Sequence, residues 1–368
     1  MRLALAQARR ALGRSFPNPA VGAVVFRGDR VLGRGFTRPP GGAHAEVVAL
    51  DRAARRHGRA SLHGASLAVT LEPCCHQGRT GPCTEALLAA GLGRVFVGHV
   101  DPHPAVRGGG VRRLRRAGVS VRVGVLEAAC REQHRGFLSR LERGRPFVTL
   151  KLAASLDGRI ATSQGESRWI TGEVARAHVH RLRGWSDAVM IGSRSALGDD
   201  PALTARRGAR VVHRPVRVLV DSALRVPASA RLYRSDVART WVLCGRAAAL
   251  RRRRAIEATG ARLLEVPTRG GRLRLDRALE RLAAEGLGTV LVEGGGALAA
   301  ALVRGGLVDE IAWFTAPLLL GAQGRPAIGP LPLARLAEAP ALAIDRVRRL
   351  GPDLWIQATL LRRGGGGR

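Results

Sequence analysis

The sequence predicts an α/β protein in two domains, on three observations. Short apolar, strand-like runs alternate with helical patterns along the chain, the alternation that builds sheets covered by helices. The alternation breaks once, at "RGRP" over residues 143–146, and then restarts at "FVTLKLAA". The length of 368 residues also fits two cores better than one. The expected division is a domain over 1–143 and a second over 146–368.

The elements follow in order. "MRLALAQARRALGR" carries arginines within its apolar stretch and lacks a small-residue cleavage site, so residues 1–14 are expected to form an amphipathic helix rather than a signal peptide. Strands are expected at "AVGAVVF", "SLAVTL", "RVFVGHV" and "VSVRVGV". Helices are expected between them at "AEVVALDRAARR", "TEALLAAGL" and "GVRRLRRAG", and then from Leu126 to Arg143. In the second half "FVTLKLAA", "DAVMIGS", "VRVLVDS", "TWVLCG", "TVLVEGGG" and "EIAWFTAPLLLG" have the continuous apolar character of buried strands. "GEVARAHVHRLRGW", "DRALERLAAEG" and "ALAAALVRGG" have the helical period, and "RRGGGGR" is expected to be a loose tail.

Composition narrows the function. Hydrophobic content is 46%, too high for disorder, and no apolar run reaches the roughly 18–20 residues of a membrane span. A cytoplasmic protein with no membrane partner is expected. The net charge of +33 suggests a polyanion, yet the arginines are scattered and only "RRRR" at 251–254 forms a block. Aromatics at 4% are too few for a base-stacking platform. Small phosphorylated ligands are therefore expected, with no nucleic-acid partner. Three of the five cysteines, Cys74, Cys75 and Cys83, fall close together while Cys130 and Cys244 are isolated. In an intracellular chain that spacing points to metal rather than to disulfides.

"GGAHAEVVAL" puts His44 and Glu46 at the start of a predicted helix, and "TLEPCCHQGRTGPCTEALLAA" runs strand, Pro-Cys loop, helix. One imidazole and two thiolates suit tetrahedral zinc with one position left for water. A carboxylate beside it that is not a ligand can carry the water's proton to a leaving amine, which is the logic of H-x-E…P-C-x-x-C deaminases. The second spacing here is C-x8-C, so the general motif is imperfectly met. Cys75 and His76 compete as ligands, and Cys74 is preferred because it follows Pro73.

"PNPAVGAVV", "HAEVVAL", "TLEPCCHQGRTGPC" and "DPHPAVRGGG" resemble the deaminase half of the bifunctional deaminase/reductase family of riboflavin biosynthesis, in which the longer C-x8-C loop is the rule. The resemblance implies a cytidine-deaminase-like three-layer α/β/α domain with one Zn²⁺ per site. His44, Cys74 and Cys83 fall on its ligands, Glu46 on its proton carrier and Asn18, the only Asn of the chain, on a substrate-binding turn. The chain departs from the family's usual wording at Ala43, Gln77, Gly81 and His103, none of them a metal ligand.

"KLAASLDGRIA", "GESRWITG", "HRLRGWSDAVMIGS", "GDDPALTAR" and the glycine run of "TVLVEGGGALAAALV" resemble the reductase half of the same family, so the resemblance spans nearly the whole chain. The glycine run is not G-x-G-x-x-G, and a standard dinucleotide fingerprint is not met. What is implied instead is a dihydrofolate-reductase-like α/β domain using NADPH. Ala153, Trp169, Ser195, Asp199, Ser222, Gly295, Gly296, Ala297, Leu298, Ala299, Ala300 and Ala301 fall on cofactor positions. Ser167, Arg183, Leu203, Arg206 and Glu293 fall on substrate positions, the two arginines suiting a phosphate. Arg194 is a departure that bears on the cofactor. The implied reactions are hydrolytic deamination of a phosphorylated diaminopyrimidine riboside and reduction of its ribosyl group, in a homo-oligomer, either a dimer or a tetramer. The rival class, a nucleic-acid deaminase with a basic binding domain, is disfavoured by the C-x8-C loop, the scarce aromatics and the reductase motifs.

Lys151 is the single Lys among the 61 Lys and Arg residues, and it is expected at the head of the strand leading into the reductase site. Lys can give up a proton where Arg cannot. Lys151 is therefore expected to be a proton donor during reduction.

Overall fold

The structure, a computed structural model, describes residues 1–77 and 81–361; the tail expected at 362–368 lies outside them. The chain divides into two units, Met1–Arg145 with Glu285–Gly288 and Pro146–Ala284 with Thr289–Arg368.

The first unit opens with α1 (Arg2–Ala8), shorter than the expected 1–14. The chain leaves the helix at Arg9 and turns through Gly13, whose φ of +69° no α-helix accommodates. There follow β1 (Gly22–Arg27), β2 (Arg30–Phe36), α2 (Ala45–His57), β3 (Ser66–Val69), α3 (Cys83–Ala89), β4 (Arg94–Val97), α4 (Gly109–Arg116), β5 (Ser120–Val123), α5 (Glu127–Gln133) and α6 (Arg135–Arg143). The sheet order is β2-β1-β3-β4-β5, antiparallel across β2, β1 and β3, and parallel from β3 to β5.

Strand alternation sends Ala23 and Val25 of β1 into a core shared with Ala45 and Ala49 of α2, Leu87 of α3 and Leu114 of α4. Val24 turns the other way, onto Ala4 of α1. Helices thus cover both faces, in the expected three layers. Two glycines of β2 let α2 lie close on the sheet. A Cβ on Gly33 would come within 2.2 Å of Ala49 O, and one on Gly35 within 2.0 Å of Ala45 O. The helix expected over 126–143 is two, α5 and α6, meeting at His134. The His134 ring is buried, 2.8 Å from His99 Nε2 and 3.3 Å from Thr70 Oγ1, which draws the backbone into the turn.

The second unit contains β6 (Phe147–Ser155), β7 (Arg159–Ala161), α7 (Glu173–Trp185), β8 (Ala188–Gly192), α8 (Ser193–Asp199), β9 (Ala205–Arg207), β10 (Arg210–His213) and β11 (Val216–Val220). It continues with β12 (Thr240–Cys244), α9 (Leu250–Glu257), β13 (Arg262–Glu265), β14 (Thr268–Arg269), β15 (Arg272–Leu273), α10 (Leu275–Ala284), β16 (Thr289–Val292) and α11 (Gly296–Arg304). It ends with β17 (Glu310–Ala316), β18 (Arg325–Pro326), β19 (Leu342–Leu350) and β20 (Asp353–Leu360). Its main sheet runs β13-β12-β11-β8-β16-β6-β17-β20-β19, parallel from β13 to β17 and antiparallel from there to the edge. The chain leaves β6 for β8 and returns to fill the place between them with β16. The carboxyl ends of β6, β16, β8 and β11 therefore line one edge, where such sheets open a ligand crevice.

Candidate active sites

In the first unit the site is built where two helices begin. His44 is the N-cap residue of α2, and its side chain makes no capping hydrogen bond, so the imidazole is left for other partners. Cys83 is the first residue of α3, and Cys74 lies on the loop after β3. The ligand atoms of His44, Cys74 and Cys83 all lie within 4.8 Å of one another. His44 Nδ1 is 3.2 Å from Cys83 Sγ and 3.6 Å from Cys74 Sγ, and the Cys83 N–H donates to Cys74 Sγ at 3.3 Å. The donor set fits zinc: one imidazole and two thiols converge, and a dication would take the place of the thiol protons. The hydrogen bond from Cys83, then that from His44, holds Cys74 down at about 4. The same bond, with burial, pushes Cys83 up. Glu46, on the first turn of α2 and buried, is raised to about 7 by burial and then by the Cys74 charge.

These groups open into a cleft of about 410 Å³ that Asn18, His44, Glu46 and Cys74 line, together with Asp101 and the stacked rings of His76 and His103. Burial raises Asp101 to about 6. Sequence reading missed the brace beneath the loop. The buried Glu72 carboxylate accepts the N–H groups of Asp101 at 3.1 Å, Gly108 at 2.9 Å and Val111 at 2.9 Å, tying the start of α4 to the loop that holds Cys74. Its place before Pro-Cys was the available signal.

In the second unit the parallel register pairs Val292 with Leu150, which puts Glu293 beside Lys151. Lys151 lies in the middle of β6 rather than at its head, because the strand begins at Phe147. Its Nζ is 3.9 Å from Glu293 Oε2. Arg183, on α7, closes a fork on the same carboxylate, Nε to Oε1 at 2.5 Å and Nη2 to Oε2 at 2.9 Å, and its Nη1 donates to Thr204 O at 3.1 Å. Arg183 is thus committed to Glu293, whereas exposed Arg206, held by Thr204 Oγ1 at 3.2 Å, reaches outward. Burial alone would raise Glu293; the charge and hydrogen bonds of Arg183, then the Lys151 charge, overcome it and hold the carboxyl at about 2. Burial lowers Lys151.

The remaining expected positions are distributed over the second unit. Ala153 follows Lys151 on β6, and Ser195 and Asp199 lie on α8. Leu203 is buried with φ +52°, while Trp169 is 70% exposed with the Arg176 guanidinium 4.6 Å from its ring centroid. Ser167 lies on the same loop as Trp169, before α7, and Ser222 directly after Asp221 at the end of β11. Gly295 caps α11, its N–H donating to Ser195 Oγ at 3.1 Å. Gly296 to Ala301 form the first turns of that helix, which begins just after the carboxyl end of β16.

A cluster of one imidazole and two thiols beside a buried carboxylate, and a Lys151–Glu293 pair at a parallel sheet edge followed by a glycine-led helix, are the features of a chain that joins a hydrolytic deaminase to a nucleotide-dependent reductase. Residues 1–99 match the cytidine and deoxycytidylate deaminase zinc-binding region, and residues 146–356 match the RibD C-terminal domain. The riboflavin biosynthesis protein RibD of Synechocystis is 40% identical over 362 residues, covering 97% of this chain and 94% of that protein. Among solved structures, RibD of Acinetobacter baumannii superposes with a TM-score of 0.86 at 34% identity, covering 98% of each chain. A diaminohydroxyphosphoribosylaminopyrimidine deaminase/5-amino-6-(5-phosphoribosylamino)uracil reductase of Thermotoga maritima superposes with a TM-score of 0.85 at 31% identity, covering 98% of this chain and 97% of that one. The chain belongs to the RibD family of riboflavin biosynthesis: it is a bifunctional deaminase and reductase whose cofactors are zinc and NADPH.

Proposed function

We propose that the chain hydrolyses the 2-amino group of 2,5-diamino-6-ribosylamino-4(3H)-pyrimidinone 5′-phosphate and then reduces the ribosyl group to ribityl, giving 5-amino-6-ribitylamino-uracil 5′-phosphate. The observation that carries this is the presence, in one chain, of the His44–Cys74–Cys83 cluster beside buried Glu46 and of the Lys151–Glu293–Arg183 cluster at a parallel sheet edge.

For the first step His44, Cys74 and Cys83 would hold the Zn²⁺, which when bound would supply the Lewis acidity that makes water nucleophilic near neutral pH. Glu46 takes a proton from the attacking water and returns it to the departing amine, so oxygen replaces nitrogen on the ring carbon and ammonia leaves. Asn18 lines the cleft, where its amide can hydrogen-bond the pyrimidine or the sugar. In the second step NADPH, when bound at the carboxyl edge of the second unit, would supply the hydride that reduces C1′ of the ring-opened sugar. The Lys151 ammonium hydrogen-bonds the opening sugar and delivers the proton that balances the hydride, while Arg206 takes the phosphate. The five free cysteines fit a cytoplasmic setting. The open edge of β19, with Ile344 and Val347 exposed, offers the surface a second copy would cover in a homo-oligomer; light scattering tests this.

The test follows the phosphorylated diaminopyrimidine riboside by mass spectrometry with zinc-loaded protein, first without and then with NADPH. Replacement of the amino group by oxygen with release of ammonia, followed by a two-hydrogen gain once NADPH is present, is the expected sequence. Cys74→Ser should abolish the first change and leave reduction of supplied deaminated substrate intact. A protein that performs neither step refutes the proposal.

A further inference from the structure

The strand order limits where a dinucleotide could lie. The reducing end belongs over β6 and β16, where Lys151 and Glu293 stand. On one side of them, beyond β17, the strands are antiparallel, so the carboxyl edge does not continue. On the other side it continues through β8 and β11 to β12. With strands about 4.8 Å apart, the steps from β16 to β12 span about 14 Å. The start of α11, whose Gly295 N–H donates to Ser195 Oγ, lies on that side, and an adenosine end directed that way would reach the turn that follows β11.

An arginine is fixed at that turn. Arg225 donates from Nη2 to Ser193 Oγ at 2.8 Å, and its Nε is 3.8 Å from Asp221 Oδ1. The Asp221 side chain has no exposed surface, its Oδ2 accepts the Val226 N–H at 2.9 Å, and its Oδ1 has no hydrogen-bond partner among the described residues. Between them Leu224 adopts a left-handed φ of +53°, so the turn is held in an uncommon conformation. The Arg225 side chain is nonetheless 53% exposed. Arg252 donates to Ala223 O in the same turn at 3.1 Å, and Arg194 follows Ser193 on α8.

We propose that Arg225, anchored by Asp221 and Ser193, reads the 2′-phosphate of the cofactor's adenosine and so makes this chain select the phosphorylated dinucleotide. A ribose 2′-phosphate is a dianion or near it, and an exposed guanidinium edge meets it with paired N–H donors. Asp221 holds the side chain in place from behind. Arg194 and Arg252 add charge without that anchoring. The inference rests on the reductase reading above.

The experiment measures binding of adenosine 2′,5′-bisphosphate and adenosine 5′-monophosphate, which differ only in the 2′-phosphate, to the full-length protein by titration calorimetry. The wild type should prefer the bisphosphate by roughly 10- to 100-fold, the span of one charge-assisted contact. Arg225→Ala should remove that preference and leave monophosphate affinity unchanged. Arg254→Ala, which deletes an exposed charge on α9, should keep the preference. If Arg225→Ala keeps the preference, or Arg254→Ala loses it equally, the arginine coat acts diffusely and the inference is overturned. A wild type that shows no preference yet reduces substrate with NADPH overturns this inference alone. A wild type that binds neither nucleotide and does not oxidise NADPH overturns the reductase reading with it.

Discussion

Replacing Glu293 by Gln tests the charge cluster most directly. The carboxyl is held at about 2 instead of its ordinary 4.5, which at about 1.4 kcal/mol per tenfold change corresponds to about 3 kcal/mol. That agrees with the roughly 3–5 kcal/mol lost when one partner of a buried pair is removed, since Arg183 and Glu293 are only 17% and 9% exposed. All five tryptophans, Trp169, Trp185, Trp241, Trp313 and Trp355, lie in the second unit, so tryptophan emission in urea follows that unit alone. Glu293→Gln should lower its unfolding free energy by about 3 kcal/mol, and Arg183→Met with Glu293→Gln should recover much of the loss, because no buried guanidinium is then left without its carboxylate. The sign with pH follows from the lowered value. The stabilisation is complete above the unfolded carboxyl's pKa and fades as pH falls toward about 2. A single variant within about 0.5 kcal/mol of wild type at neutral pH, the noise of a surface substitution, would refute the reasoning.

Lys151→Arg should lower reduction about 100-fold or more, the scale of lost proton transfer, and leave ammonia release unchanged; near-normal NADPH oxidation ends that role. Burial, then the His99 charge, hold His134 at about 3, and burial lowers His99, which faces Arg131 and Glu127 of α5 and Glu142 of α6. The first unit's stability should therefore hold above about pH 6.5, where the unfolded histidines are neutral, and fall as pH drops from there toward 3. Hydrogen exchange of β1 and β3 measures this, and His134→Gln should flatten the slope. Gly35→Ala places a Cβ 2.0 Å from Ala45 O, so α2 must lift, at a cost of about 1–3 kcal/mol. Zinc content by atomic absorption should drop while NADPH oxidation persists.

What the sequence reveals depends on how residues advertise their surroundings. His44, Glu46, Cys74 and Cys83 were legible because the chemistry restricts both residue type and spacing, and the central strands because both faces are buried. β19 gave no such signal: its side chains are almost all exposed and arginines fall on both faces, so no period-two pattern exists. β2 was hidden by the glycines that let α2 approach. The break at His134 lay in the tertiary contact to His99 and Thr70, which no local pattern encodes. The pairing of Arg183 with Glu293 was not legible, because Glu293 lies far along the chain and is brought near by the β6–β16 pairing.

That pairing has a consequence for folding. Parallel strands joined by long connections have few local cues to alignment, and a slip of one residue turns every side chain to the opposite face. A slipped β16 would carry Glu293 away from β6 and leave Lys151 and Arg183 buried with no counter-charge. The three side chains thus act as an alignment key, penalising the wrong registers of two strands that meet late, so the groups assigned to reduction also proofread the sheet that carries them.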